Sequence, residues 1–225
     1  MATTLAFDVY GTLIDTHGIV AALEPHAGPQ ALAFSQAWRE KQLEYSFRRG
    51  LMRAYKTFAV CTRQALEYTC ARFSLPLSQS EREALLALYR VLPAFQDVPE
   101  GLRRARAAGF RLFAFSNGSV EAVEALLKHA GIRDAFLDVV SVDEVRSFKP
   151  DPDVYAHFLR RAGATGASSW LVSGNPFDVL GAQAAGLRAA WVQRSPGSLF
   201  DPWGMAPDLT VGSLLDLPER IEQVG

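Results

Sequence analysis

Short apolar runs recur along this chain at Leu5 to Val9, Arg111 to Phe115, Leu137 to Val142, Trp170 to Val172 and Ala189 to Val192. Their length and flanking turn residues read as strands. Between the later four lie stretches with helical spacing, Val120 to Ala130, Pro152 to Ala162 and Val179 to Ala185. That alternation predicts repeated β-α-β units around a parallel sheet. The first strand breaks the rhythm. From Thr16 to about Pro93 the pattern is almost entirely helical, with helices expected near Gln30 to Arg49, Met52 to Phe73 and Gln79 to Tyr89, punctuated by Gly50 and by Leu75-Pro76-Leu77. The fold class is therefore α/β, a Rossmann-like doubly wound parallel sheet core with an inserted all-helical cap. Residues 1–15 and 94–225 form the expected core, and 16–93 the cap over the site. The tail from Pro207 to Gly225 reads as a short strand and a terminal helix.

Composition narrows the function. A net charge of −1 over 225 residues, without a Lys/Arg cluster, argues against a nucleic-acid partner. No run approaches the roughly 18 apolar residues that a membrane helix needs. No basic segment followed by an apolar stretch opens the chain, so no signal peptide is expected. Cys61 and Cys70 are the only cysteines and sit in a helical stretch, which favours core filler over a disulfide. A cytoplasmic protein is the expectation. The four histidines fit no ligand spacing or triad, and neither G-x-S-x-G nor G-x-G-x-x-G occurs.

The chemistry-bearing residues gather at strand ends. Asp8 closes the first apolar run and is followed by Gly11 and Thr12. Ser116-Asn117-Gly118-Ser119, Lys149-Pro150 and Ser173-Gly174-Asn175-Pro176-Phe177-Asp178 follow the later runs. In a parallel sheet those ends share one edge, so residues far apart in sequence converge there. Each also has a structural reading. Asp8 could belong to a turn, Lys149 could be a solvated lysine, Ser119 could cap a helix with Glu121 in its first turn, and Asp178 could cap the helix that begins near Phe177. The segment Trp38-Arg39-Glu40-Lys41-Gln42-Leu43-Glu44-Tyr45 could be a solvated helix face.

Taken in order, the four strand-end segments resemble the motifs of the haloacid dehalogenase superfamily, whose nucleophile opens a D-x-[D/Y]-G-T-L signature. Here it reads Asp8-Val9-Tyr10-Gly11-Thr12-Leu13. The tyrosine form resembles the L-2-haloacid dehalogenases, and the cap segment resembles their W-R-x-K-Q-L-E-Y. The resemblance implies a catalytic set of Asp8, Thr12, Arg39, Ser116, Asn117, Lys149, Ser173, Asn175 and Asp178. Asp8 would be the nucleophile, Lys149 its cation, Arg39 and Asn117 the receivers of halide, and Asp178 the activator of water beside Ser173 and Asn175. Tyr10, Leu43, Phe58, Ser116, Asn117 and Phe177 would bind substrate. The implied reaction is hydrolysis of a small 2-haloacid to a 2-hydroxy acid and halide, with inversion, by a homodimer without cofactor.

The superfamily's phosphatases hold magnesium with carboxylates at two positions that here are Tyr10 and Asn175, so no metal is expected. The superfamily phosphatase is one rival reading. A ring-opening hydrolase of the azetidine-2-carboxylate type is another, because Glu40 stands where those dehalogenases usually carry glutamine. An inward carboxylate there would disfavour a departing halide.

Overall fold

A computed structural model describes residues 2–224; Met1 and Gly225, the outer ends of the expected core and tail, lie outside the described residues. The strands β1 (Thr4–Phe7), β2 (Arg111–Ser116), β3 (Asp138–Ser141), β4 (Ser169–Ser173), β5 (Arg188–Val192) and β6 (Leu209–Val211) form one sheet in the order β3-β2-β1-β4-β5-β6. Every pairing is parallel. The chain winds outward from β1 in one direction and then returns to build β4, β5 and β6 on the other side. The order reverses between β1 and β4, and a crevice opens at their carboxyl ends.

The strands read as unbroken apolar runs because both faces are covered. Leu5 and Phe7 join one core cluster while Ala6 joins the other; Leu112 and Ala114 oppose Phe113 and Phe115; Trp170 and Val172 oppose Leu171. The helices α5 (Val98–Ala107), α6 (Val120–His129) and α9 (Leu217–Val224) cover the first face through Leu102, Leu126 and Ile221. The second is covered by α7 (Pro152–Ala162) and α8 (Pro176–Ala184) through Phe158 and Val179.

Between β1 and β2 the chain builds α1 (Val20–Ala27), α2 (Ala31–Leu51), α3 (Phe58–Arg72) and α4 (Gln79–Leu88). Where it leaves and rejoins the sheet, the two crossings bind each other. The Asp15 N–H donates to the Pro93 carbonyl, and the Phe95 N–H to that of Leu13. Two helix boundaries differ from expectation. Gly50 lies inside the last turn of α2 rather than ending it, and the reversal comes at Arg53, with φ +53°. The helix expected from Met52 starts only at Phe58, because Met52 still closes α2 by donating to the Arg48 carbonyl. Helix α1 falls in the stretch whose pattern is helical but which predicts no bounds for it, and α5 lies outside the helices that the spacing predicts. The start of α5 was marked, since Pro99 and Glu100 stand in its first turn.

Gly101 lets α5 close on the segment before α9. A Cβ there would lie 2.6 Å from Leu214 Cβ and 2.9 Å from that residue's main-chain carbon and oxygen. Backbone cannot swing aside as a side chain can. Gly101→Ala should therefore destabilise the protein by about 1–3 kcal/mol, read as a lower urea midpoint with unchanged slope. A variant as stable as the parent would mean that this contact yields freely.

Candidate active site

Asp8 is the first residue beyond β1, and its N–H still donates to the Val172 carbonyl of β4 at 3.0 Å. The chain then folds back on itself. Gly11 takes φ +80°, and the N–H groups of Leu13 and Ile14 both donate to the Val9 carbonyl, at 2.9 and 3.0 Å. This turn brings the Thr12 hydroxyl onto Asp8 Oδ2 at 2.7 Å. That hydroxyl accepts from the Gly174 N–H, so its proton is directed at Asp8. Across the crevice, Asn175 Nδ2 donates to the same Oδ2 at 2.7 Å and to the Tyr10 carbonyl at 3.0 Å. Ser173 Oγ adds a longer contact of 3.4 Å. The two oxygens of Asp8 are thereby unequal. Oδ2 faces three donors, whereas the bond to Oδ1 comes from Lys149 Nζ at 3.1 Å.

Lys149 is 1% exposed. An ammonium has three N–H donors, and here each has an acceptor: Asp8 Oδ1, Asp178 Oδ2 at 2.8 Å and the Phe115 carbonyl at 2.9 Å. The Phe115 ring lies 4.2 Å from the same nitrogen. Burial works against the charge, but Asp178 and Asp8 outweigh it and raise the lysine's pKa. The ammonium therefore stays charged. Asn117 holds the segment in place, its Oδ1 accepting from the Lys149 main-chain N–H at 3.0 Å. Ser116 Oγ, at the end of β2, accepts from the Gly118 N–H, and Ser119 caps α6 as its structural reading held.

Asp178 is not a helix cap. Asn175 occupies that position in α8, while the Asp178 carboxylate is sealed among Lys149 and Tyr155, whose phenol donates to Oδ1 at 2.8 Å. Burial pushes its pKa up to about 6 against the pull of Lys149. The phenol of Tyr155 is pushed well above its ordinary value by the same burial and the adjacent carboxylate.

The other wall comes from the helical block. Arg39 Nη2 donates to the Tyr10 carbonyl at 3.3 Å, so Tyr10 receives hydrogen bonds from both sides of the cleft. Positions 39, 43 and 47 share one face of α2. Phe47, at the far end, packs edge-on against Phe177 with ring centroids 5.0 Å apart, which leaves Leu43 between two points of contact with the core. The Phe58 and Tyr10 rings are 6.2 Å apart. Glu40 is exposed, so its carboxylate is on the solvent side of the helix. Asp8, Thr12, Asn117, Lys149, Ser173, Asn175 and Asp178 are thus joined by hydrogen bonds, and Arg39 reaches them through the Tyr10 carbonyl, whereas the Ser116 hydroxyl closes its own turn onto the Gly118 N–H.

A family model described as haloacid dehalogenase-like hydrolase matches residues 2–186. The chain belongs to that family. It is 37% identical over 218 residues to the (S)-2-haloacid dehalogenase of Pseudomonas sp. strain YL, covering 97% of this chain and 94% of the relative. It is 39% identical over 207 residues to haloacetate dehalogenase H-2 of Moraxella sp. strain B, with 92% of each covered. Among solved structures, it superposes on the L-2-haloacid dehalogenase of Xanthobacter autotrophicus with chloropropionic acid covalently bound, at TM-score 0.92, 33% identity and full coverage of both chains.

Within this hydrolase fold, sequence reading missed residues that act through others. Gln42 Oε1 accepts from Arg39 at 2.7 Å, and its amide nitrogen donates to Thr62 Oγ1, which in turn donates to the Phe58 carbonyl at 2.9 Å. The chain of donors sets the amide's orientation and so steadies the guanidinium. Arg194 donates through Nε and Nη2 to the Thr12 carbonyl, at 3.0 and 2.6 Å, while Asp97 grips its Nη1. Tyr155 could have been suspected only as one apolar position of an amphipathic helix. A loop arginine such as Arg194 carries no local signal.

Tyr155 donates to the charged form of Asp178, which favours that form. Tyr155→Phe should therefore raise the pH at which Asp178 protonates, above about 6. Carbon-13 NMR of the carboxyl, assigned with Asp178→Asn, would follow it. An unshifted or lowered midpoint would remove the phenol from this role.

Proposed function

We propose that this hydrolase cleaves the carbon–halogen bond of short (S)-2-haloacids through an ester on Asp8, without a cofactor. The observation that carries the reading is the inequality of the two Asp8 oxygens. Oδ1 has the less encumbered lone pairs and would attack the halogenated carbon, while halide leaves with the bonding electrons toward Arg39 and Asn117. Attack from the face opposite the halide inverts the carbon. Oδ2 then becomes the ester carbonyl oxygen, already surrounded by Thr12, Ser173 and Asn175. When water adds to that carbonyl, the same donors receive the developing negative charge. Asp178, with its raised pKa, would take the proton from water, and Ser116 would hold the substrate carboxylate. Lys149, with each of its three N–H donors taken by an acceptor, would hold Asp8 Oδ1 in line and set a fixed positive charge beside it.

Residues 16–93 would act as the cap, carrying Arg39 and the apolar walls Leu43 and Phe58 over the crevice, with Phe177 and Tyr10 from the core. The exposure of Glu40 removes the motive for the azetidine reading. Met52 and Tyr68 line one groove on the outside of the helical block together with Arg48, Arg49 and Glu67, a mixed apolar and charged surface available to the expected homodimer. The free, buried Cys61 and Cys70 suit a reducing cytoplasm, and no helix among the described residues is long and apolar enough to cross a membrane.

Oxygen labelling tests the mechanism. In a single turnover with enzyme in excess, run in heavy-oxygen water, the first 2-hydroxy acid should carry Asp8's own oxygen and be mostly unlabelled. The label should enter the peptide containing Asp8. Fully labelled product would mean that water attacks carbon directly and Asp8 is a base.

The donor set also speaks against a divalent metal. Asn175 points its amide nitrogen at Asp8, a fixed ammonium bridges the two carboxylates, and no three His, Cys, Asp or Glu side chains converge among the described residues. Halide release should be unaffected by exhaustive chelation and by added magnesium. Strict dependence on a metal would revive the phosphatase reading.

A further inference from the structure

Tyr89 follows the last turn of α4 and is only 9% exposed. Its ring stands edge-on to Trp38 at 5.1 Å and 6.3 Å from the ring of Tyr10. It is thereby wedged between the neighbour of Arg39 in α2 and the residue two beyond Asp8. The polar groups around it are already engaged. Trp38 Nε1 donates to the Thr62 carbonyl, and the two Nη atoms of Arg39 donate to Gln42 and to the Tyr10 carbonyl. Among the described residues, the Tyr89 hydroxyl has no hydrogen-bond partner. Among the charged groups, Arg39 acts most strongly on this hydroxyl.

A hydroxyl without a protein partner, on a ring packed beside the segment that carries a partly engaged guanidinium, is the donor set a small anion requires. We propose that Tyr89 is a third halide-binding residue, donating its O–H to the departing halide alongside Arg39 and Asn117. The assignment rests on the haloacid reading above. As the carbon–oxygen bond to Asp8 forms, halide leaves with the pair from the broken carbon–halogen bond, and the phenol gives a hydrogen bond without losing its proton. Burial keeps it in that protonated form, its pKa pushed up to about 12. A neutral donor meets a charge that exists only after the bond begins to break, so it stabilises the transition state more than the neutral carbon–halogen bond of the substrate. Chloride accepts hydrogen bonds more strongly than bromide, so the hydroxyl should matter more for chloride.

Tyr89→Phe tests this while keeping the ring packed on Trp38 and Tyr10. Single-turnover halide release is measured for 2-chloropropionate and 2-bromopropionate, and bromide binding to the free enzyme is followed by calorimetry. Removing a hydrogen bond to an ion should weaken bromide binding about tenfold. It should also slow chloride release more than bromide release, so that the chloride-to-bromide ratio falls while the thermal midpoint stays put. An unchanged ratio, or unchanged bromide affinity, would mean that the hydroxyl is merely solvated and would overturn the assignment while leaving the haloacid reading in place. Failure of the parent enzyme to release either halide would overturn that reading, and the role of Tyr89 with it.

Discussion

The Lys149 ammonium, buried between Asp8 and Asp178, is the interaction on which the site depends. Removing a charge from water is costly, and a carboxylate buried there without a partner would favour its protonated form. One lysine answers for two carboxylates at once, and the Phe115 carbonyl takes its third hydrogen. The arrangement needs the carboxyl ends of β1, β2 and β4 side by side and the Lys149 segment folded over them. The parallel sheet places those strand ends together, and Asn117 ties the segment by its main chain. Losing any one member leaves a buried charge or polar group without a partner, a loss larger than the net worth of the pair.

Around that centre the labour divides between the two parts of the chain. The sheet side supplies fixed charge and oriented donors: Thr12, Ser173 and Asn175 come from strand ends or the turns after them, Lys149 from the segment that leads into α7, and Asp178 from the first turn of α8. The helical block supplies a guanidinium and an aromatic surface. The carbonyl of Tyr10 is where they meet, accepting from Asn175 on one side and Arg39 on the other. A polar cradle of Thr12, Ser173 and Asn175 faces Asp8 Oδ2, and the helical block brings an aromatic surface and the Arg39 guanidinium to the other side of Tyr10. The chemistry proposed here follows from that asymmetry.

Supporting contacts extend the order outward. Arg194 and Asp97 clamp the Thr12 carbonyl from the segment after β5 and the start of α5, near the point where the chain rejoins the sheet. Thr62 and Gln42 do the same for Arg39 from within the helical block. Both arrangements hold a functional group through its neighbour, by hydrogen bonds that are buried or half-buried. Such bonds gain strength and direction from the low local dielectric.

The alternation of apolar runs with helical spacing was enough to show a parallel sheet with helices on both faces, because a strand buried on both sides must be apolar throughout. The placement of Asp8 and Ser116 at or just beyond strand ends, and of Lys149 and Asp178 on the segments that follow β3 and β4, was legible for the same reason: in a parallel sheet such ends share an edge. The helix boundaries near Gly50 and Met52 were not, since a glycine inside a last turn and one after it look alike in sequence. Tyr155, Tyr89, Thr62 and Arg194 were equally silent. An aromatic residue at helical spacing or an arginine in a loop has the same local pattern whether it fills the core, faces water or orients a catalytic group. Local sequence determines which element a residue occupies. Only the packed chain decides which distant partners its polar atoms meet, and therefore that one oxygen of Asp8 faces three donors and the other the Lys149 ammonium.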